Sequence, residues 1–282
     1  MFTWVANQLG RGAIVAATRS LHGGESPWRV ELRLAGGLDL AVVVRSPTSR
    51  ITREMIVTNA AALTVAEHHG LTAPRLLAAD LDGRQAGEPT SVETIIEGTT
   101  AWPAECPADL LRAAGAAIAR VHEITFEPSA VLPYRPRPIA VDDFAGERRL
   151  GRMPTTDLLR SADELIRATP TPEGRAVFVH GDVWPGNILV AGDRVCALID
   201  WKTAGVGHPG VDLGELRKQA AIFYGAEGPR HVLQGWERAA GTTARDVAYW
   251  DATAALNTPT ECNSPAEAAR RDDFLRAALA DL

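Results

Sequence analysis

The 282-residue sequence is poor in cysteine, in long apolar runs and in surplus positive charge. Its three cysteines, Cys106, Cys196 and Cys262, stand far apart and form no C-x-x-C pair. That argues against a disulfide framework or a zinc site and suits a reducing, cytoplasmic setting. No stretch approaches the roughly 18 apolar residues of a membrane span. The opening MFTWVANQLGRGAIVAATRS lacks a basic region leading into an unbroken apolar one, so no signal peptide is expected. A net charge of −6 argues against unaided binding to nucleic acid or an anionic membrane. What remains is an ordinary globular composition, 46% hydrophobic and 23% charged, long enough for two lobes or one large domain.

The first 97 residues read as a sheet with one inserted helix. AIVAATRSL, WRVELRL and LDLAVVVR are rich in valine and leucine and are separated by the turn compositions HGGESP and AGG, which predicts an antiparallel meander. SRITREMIVTNAAALTVAEHHG follows with helical spacing and stops at Gly70. PRLLAADL and TSVETIIEG resume the strand pattern. After the Gly/Pro-bearing boundary IIEGTTAWPAECP the character changes to helical. PADLLRAAGAAIARVHEI puts Leu110, Ala114, Ala117, Val121 and Ile124 near one helical face. TTDLLRSADELIRAT and four segments after Val211 read as further helices, and two short apolar strands, RAVFVHGD and VCALIDW, interrupt them.

Those two strands carry the chemistry. Asp182 and Asn187 stand five residues apart in HGDVWPGN, and Asp200 ends the next apolar run. The intervening VWPG makes a compact turn that can bring the asparagine back to the aspartate. Two carboxylates and an amide oxygen suit a hard cation such as Mg²⁺, which takes few protein ligands and keeps waters. A lone loop aspartate is ordinary turn chemistry. The full set at this spacing instead matches phosphoryl transfer, in which an aspartate orients the acceptor hydroxyl and an asparagine and a second aspartate hold the metal.

The run VFVHGDVWPGNILV…VCALIDWKTAGVGHPGVDLGELR resembles the aminoglycoside phosphotransferase-like family, small-molecule kinases of the protein-kinase-like fold. The pattern is complete in His180, Gly181, Asp182, Asn187, Asp200, Trp201, Gly207, Pro209, Asp212 and Leu213. The resemblance implies an α+β, bilobal fold. Residues 1–97 would form a nucleotide-clamping lobe, a small antiparallel sheet with one helix. Residues 98–282 would form a larger, mainly helical lobe for catalysis and acceptor binding. It implies ATP or GTP, Mg²⁺ and transfer of the γ-phosphoryl group to a hydroxyl. Carried over by residue, Asp182 is the catalytic base, His180 braces its loop, Asn187 and Asp200 are metal ligands, and Asp212 opens a helix and anchors the loop backbone.

The resemblance also assigns the nucleotide side. Gly23, Gly24 and Ser26 of HGGES correspond to a phosphate-covering loop, although any hairpin favours such residues. Arg45 ends the third strand where the fold places a phosphate-binding cation, and its fork suits phosphate. The glutamate that usually pairs with that cation is missing: its position falls on Asn59, and Glu54 lies five residues earlier, on another part of the helix. A shifted helix, Asn59 itself or another carboxylate would have to serve. Ile95, Ile96 and Glu97 correspond to a hinge whose backbone binds the base, and read equally well as an edge strand. His122, Trp236, Tyr249 and Trp250 are expected in the core.

The acceptor is not written in the sequence. Glu215, Glu237, Asp251, Glu261, Asp272 and Asp273 on the C-terminal segments could hold a cationic antibiotic such as an aminoglycoside or a basic peptide, with most expected on solvated helix faces. Kinases of sugars, amino sugars or amino alcohols, and a nucleotide-binding pseudokinase, stay open as alternatives.

Overall fold

The chain folds as α+β, with an antiparallel sheet in its N-terminal part and mainly helices in its C-terminal part. The structure, a computed structural model, describes residues 1–139 and 141–282. The chain divides into two compact units, one of residues 1–97 with 197–202, the other of residues 98–196 with 203–282.

The first unit holds a five-stranded antiparallel sheet of β1 (Ile14–His22), β2 (Glu25–Arg33), β3 (Asp39–Arg45), β4 (Leu76–Asp80) and β5 (Thr90–Thr94), ordered β1-β2-β3-β5-β4. It carries two helices rather than the one expected. α1 (Phe2–Leu9) is too short to be stable alone. It docks Trp4, Val5 and Ala6 against Val30, Leu32, Val42, Val44 and Val92 of the sheet. Side chains alternate across a strand, so Val43, Arg45, Ser91 and Glu93 occupy the opposite face. That face meets α2 (Arg53–His68) through Asn59. Thr52 caps α2 by accepting from the Met55 amide, and Gly70, at φ 66°, ends the turn beyond it.

The second unit is mainly helical: α3 (Ala108–Val121), α4 (Phe144–Arg149), α5 (Asp157–Ala168), α6 (Gly210–Tyr224), α7 (Glu227–Ala240), α8 (Val247–Leu256) and α9 (Pro265–Ala280). α3 buries Leu110, Leu111, Ala114, Gly115, Ile118, Ala119 and Val121. Ala117 is only half-buried and Ile124 lies past the helix end, so the buried face is rotated from the expected one. The cause is a close crossing with α7, where a Cβ on Gly115 would lie 2.1 Å from the Val232 carbonyl and one on Gly235 2.0 Å from that of Arg112. A short sheet orders β6 (Tyr134–Arg135), β10 (Gly205–Gly207) and β7 (Val177–Val179), with β10 antiparallel to β7. A hairpin of β8 (Ile188–Ala191) and β9 (Arg194–Leu198) follows β7. β7 is wholly buried and delivers the chain to His180, Gly181 and Asp182. Among the described residues, no helix is long and apolar enough to cross a membrane.

Candidate active site

In the second unit the loop after β7 is held by its backbone. Asp212, in the first turn of α6, is fully buried and accepts from the His180 amide at 2.8 Å and the Gly181 amide at 2.7 Å. It does not cap its own helix, whose N-cap is Pro209. His122 adds a third contact, Nε2 to Asp212 Oδ2 at 3.1 Å. The Trp236 indole N–H donates to His122 Nδ1 at 2.9 Å, which fixes the tautomer: Nε2 carries the proton and donates to the carboxylate. Burial opposes ionisation of Asp212, but the His122 hydrogen bond, the electrostatic attraction of the neighbouring His122 and His180 rings and the Gly181 amide outweigh it and hold the carboxyl below the usual aspartate range. Gly181, at φ 83°, passes so near Thr203 that a Cβ would lie 2.3 Å from its carbonyl oxygen.

This scaffold presents Asp182, half-buried, at the loop's turn. The 3-10 turn Pro185–Asn187 brings Asn187 back, and its Nδ2 donates to the Asp182 carbonyl at 2.9 Å and to Asp182 Oδ2 at 3.1 Å. Both contacts use the amide nitrogen, so Oδ1, the atom a hard cation needs, is not engaged by Asp182. His180 is buried and its Nδ1 receives the Asp182 amide at 3.3 Å. That contact ties its ring to the loop backbone. Trp184, 40% exposed, lies over Gly186 between the two polar residues, a position the sequence reading passed over.

In the first unit a chain of charges crosses the sheet face. Arg45 Nε donates to Glu93 Oε1 at 2.8 Å and its Nη1 to Asp200 Oδ1 at 2.9 Å. Arg45 pairs in register with Ser91, so Glu93 is its diagonal neighbour on the same face. Asn59 Nδ2 donates to Glu93 Oε2 at 3.2 Å, and its Oδ1 accepts from the Trp201 amide at 3.1 Å. The missing helix carboxylate is thus supplied by strand β5, and Asn59 orients it. The available signal was a glutamate inside the otherwise uncharged run TSVET. Burial works against the charged guanidinium, but the Glu93 and Asp200 charges and hydrogen bonds outweigh it and raise the Arg45 pKa further. Asp200 sits at φ 65°, a left-handed conformation uncommon outside glycine and tolerated here by aspartate. Its second oxygen pairs with Lys202.

The profile of the phosphotransferase enzyme family matches residues 18–256. The chain belongs to that family. It is a small-molecule kinase. Solved structures of the same fold include the macrolide 2′-phosphotransferase of Brachybacterium faecium, with a TM-score of 0.65 and 20% identity over 99% of this chain and 97% of that one. An aminoglycoside-3′-phosphotransferase of type VIII gives a TM-score of 0.57 at 18% identity over 98% and 97%. A 2″-aminoglycoside phosphotransferase solved with streptomycin and ATP gives 0.55 at 16% over 93% and 91%. No curated protein matches the chain.

The other anticipated residues fall as follows. Gly23 and Gly24 form an exposed two-residue turn between β1 and β2. Ser26 is on β2, buried, and its Oγ accepts from the Ser46 amide at 2.8 Å. β5 ends at Thr94, so Ile95, Ile96 and Glu97 run beyond the strand instead of forming an edge. Trp236, Tyr249 and Trp250 are buried. Two acidic residues expected on solvated faces are not there. Glu215 is fully buried beside Lys218, and Asp251 is buried against Arg217 at 2.7 Å. Asp272 pairs with Arg271 and Asp273 with Arg276, Glu237 accepts from the Ala244 amide, and Glu261 is exposed.

Proposed function

We propose that this enzyme transfers the γ-phosphoryl group of ATP, with GTP as the alternative donor, to a hydroxyl of an antibiotic and so inactivates it. The observation that carries the reading is the presentation of Asp182: its backbone is fixed through Asp212 and its carboxylate is held by Asn187. Positioning and electrostatics supply most of the catalysis in such reactions. The acceptor hydroxyl donates to Asp182, which takes its proton as the new O–P bond forms and the bond to the departing nucleoside diphosphate breaks. Asn187 Oδ1 and Asp200 are the residues that would hold Mg²⁺. When bound, the metal neutralises phosphate charge. Among the described residues no group of three or more His, Cys, Asp or Glu forms a cation cage, so the metal would enter with the nucleotide's own oxygens.

Residues 1–97 would bind the nucleotide, with Gly23, Gly24 and Ser26 near the phosphates, Arg45 contacting them, and the Ile95–Glu97 backbone on the base. Residues 98–282 would carry the acceptor. Macrolide and aminoglycoside enzymes on the same fold favour an antibiotic acceptor, among which aminoglycosides, macrolides and basic peptides are the first to test. Use of ATP and three free thiols are in keeping with a cytoplasmic enzyme.

The test is nucleotide consumption against a panel of antibiotics, sugars, amino sugars and amino alcohols, with product mass locating the phosphate. Turnover with a sugar and none with any antibiotic would replace the antibiotic reading with a metabolic one. Asp182→Asn should lower turnover about a hundred- to ten-thousandfold while AMP-PNP affinity changes little. Turnover within about tenfold of the parent would remove Asp182 from the base role.

A further inference from the structure

Six of the seven tryptophans are buried or half-buried, and Trp184 alone is exposed, at 40%. A single exposed apolar side chain needs no special reason, but this one stands two residues after Asp182 and three before Asn187. Its backbone is extended, at φ −145° and ψ 167°. Extended chain turns successive side chains to opposite sides. Burial follows that alternation: Val183 is buried, whereas Asp182 is half-buried and Trp184 exposed. Trp184 therefore emerges on the side of the loop that presents Asp182.

The indole is also seated. A Cβ on Gly186 would lie 2.3 Å from Trp184 Cζ2, 2.4 Å from Cη2 and 2.8 Å from Cε2. An edge-on approach to Cζ2 would leave its two ring neighbours much farther off than Cζ2 itself, so the six-membered ring meets Gly186 with its face. Gly186 lies outside the left-handed region, so its backbone does not call for glycine; the space under the ring does. The Asn187 amide donates to the Trp184 carbonyl at 2.8 Å and closes the turn that brings ring and glycine together. One face of the indole rests on the turn, and the exposed part of the ring flanks Asp182.

The chemistry of that surface sets what it takes. An indole face is apolar and carries a negative quadrupole, so it packs against the C–H face of a saturated ring and attracts an ammonium held over it. An amino sugar offers both at once. A neutral sugar offers only the C–H face, and a flexible basic side chain only the cation. The net charge of −6 also favours a cationic acceptor.

We propose that Trp184 is an acceptor-binding platform that stacks on an amino-sugar ring and holds the hydroxyl of that ring against Asp182. The platform deepens the proposed function and rests on the reading of Asp182 as the base. It narrows the acceptor to antibiotics phosphorylated on an amino-sugar ring, and it makes Gly186 the positioning residue that seats the indole.

The test is steady-state kinetics of the full chain with ATP and Mg²⁺ against kanamycin, erythromycin, glucosamine, glucose and the sugar-free basic peptide viomycin. Turnover is expected with an amino-sugar compound. On that acceptor Trp184→Leu should raise KM about ten- to thirtyfold, the loss of one stacked face, while KM for ATP moves less than about threefold. Trp184→Phe keeps a smaller aromatic face and should raise acceptor KM only about threefold. Gly186→Ala leaves the indole intact but takes its seat, and should raise acceptor KM about as much as Trp184→Leu. The two changes combined should cost little more than either alone, a coupling that independent disturbances of the loop would not give. Acceptor KM within about twofold of the parent in both single variants, or losses that add in the double variant, would overturn the platform and leave the antibiotic reading standing. Turnover of glucosamine alone, with the expected dependence on Trp184, would keep the platform and replace the antibiotic reading with a metabolic one. Turnover only of glucose or viomycin, or of none of these compounds, would overturn the platform.

Discussion

The two units hold their chemical residues by opposite means. The Asp182 loop is held largely through its backbone, with the His180 and Gly181 amides received by buried Asp212, to which His122 also donates, itself oriented by Trp236. Asp200 is gripped by the side chains of Arg45 and Lys202, with Glu93 and Asn59 behind them. Backbone amides sit where the fold puts them, so an acceptor for the His180 and Gly181 N–H groups has little freedom to move in sequence. A carboxylate that serves a long guanidinium has more freedom, because several positions lie within its reach. In this chain the carboxylate is Glu93 on β5, with Asn59 of α2 as its support.

The sharpest break of that contrast is at Asp212. Asp212→Ala leaves two buried amides and the His122 N–H without an acceptor, and is expected to cost about 3–5 kcal/mol of stability, read by denaturant unfolding. Its pH dependence has a definite sign. The folded carboxyl is held below its unfolded value, so its contribution is complete above the unfolded pKa of about 4 and is lost as pH falls through the folded one. Asp212→Asn should flatten the fall in stability of the parent below that value. An unchanged acid limb would show that the three donors are satisfied in some other way.

The second test asks whether the carboxylate is truly portable. Glu93→Gln removes the buried partner of Arg45 and should cost about 2–4 kcal/mol. Adding Asn59→Glu on α2 should restore about half of it or more, although it gives up the contact with the Trp201 amide. A double variant no more stable than Glu93→Gln would mean that the strand position is required by geometry, and the contrast between the units would weaken. The smallest expected effect is at Trp236→Phe. It keeps the ring packing but removes the donor to His122, for a loss of about 1 kcal/mol. A loss above about 3 kcal/mol would show that orienting His122 governs the whole Asp212 cluster.

Several features were legible in the sequence because they are local. Alternation in the valine-rich strands and the spacing in the longer helices gave the order of the larger elements. The five-residue gap from Asp182 to Asn187 implied the compact return that the 3-10 turn makes. The motif also pointed to Asp212 as an anchor for the loop backbone. The elements that escaped, α1, α4, β6, β8 and β10, are two to eight residues long, too short for a periodic signal, and form where neighbouring structure holds them. Tertiary structure alone decided the rest. It turned Ser26 inward, buried Glu215 and Asp251 in ion pairs, made His122 the donor to Asp212, and brought Glu93 to Arg45 across two strands. Sequence spacing fixes which residues share a turn or a strand face. Which charges meet is fixed by strand register and helix packing, since a buried charge must find its counterion wherever the fold supplies one.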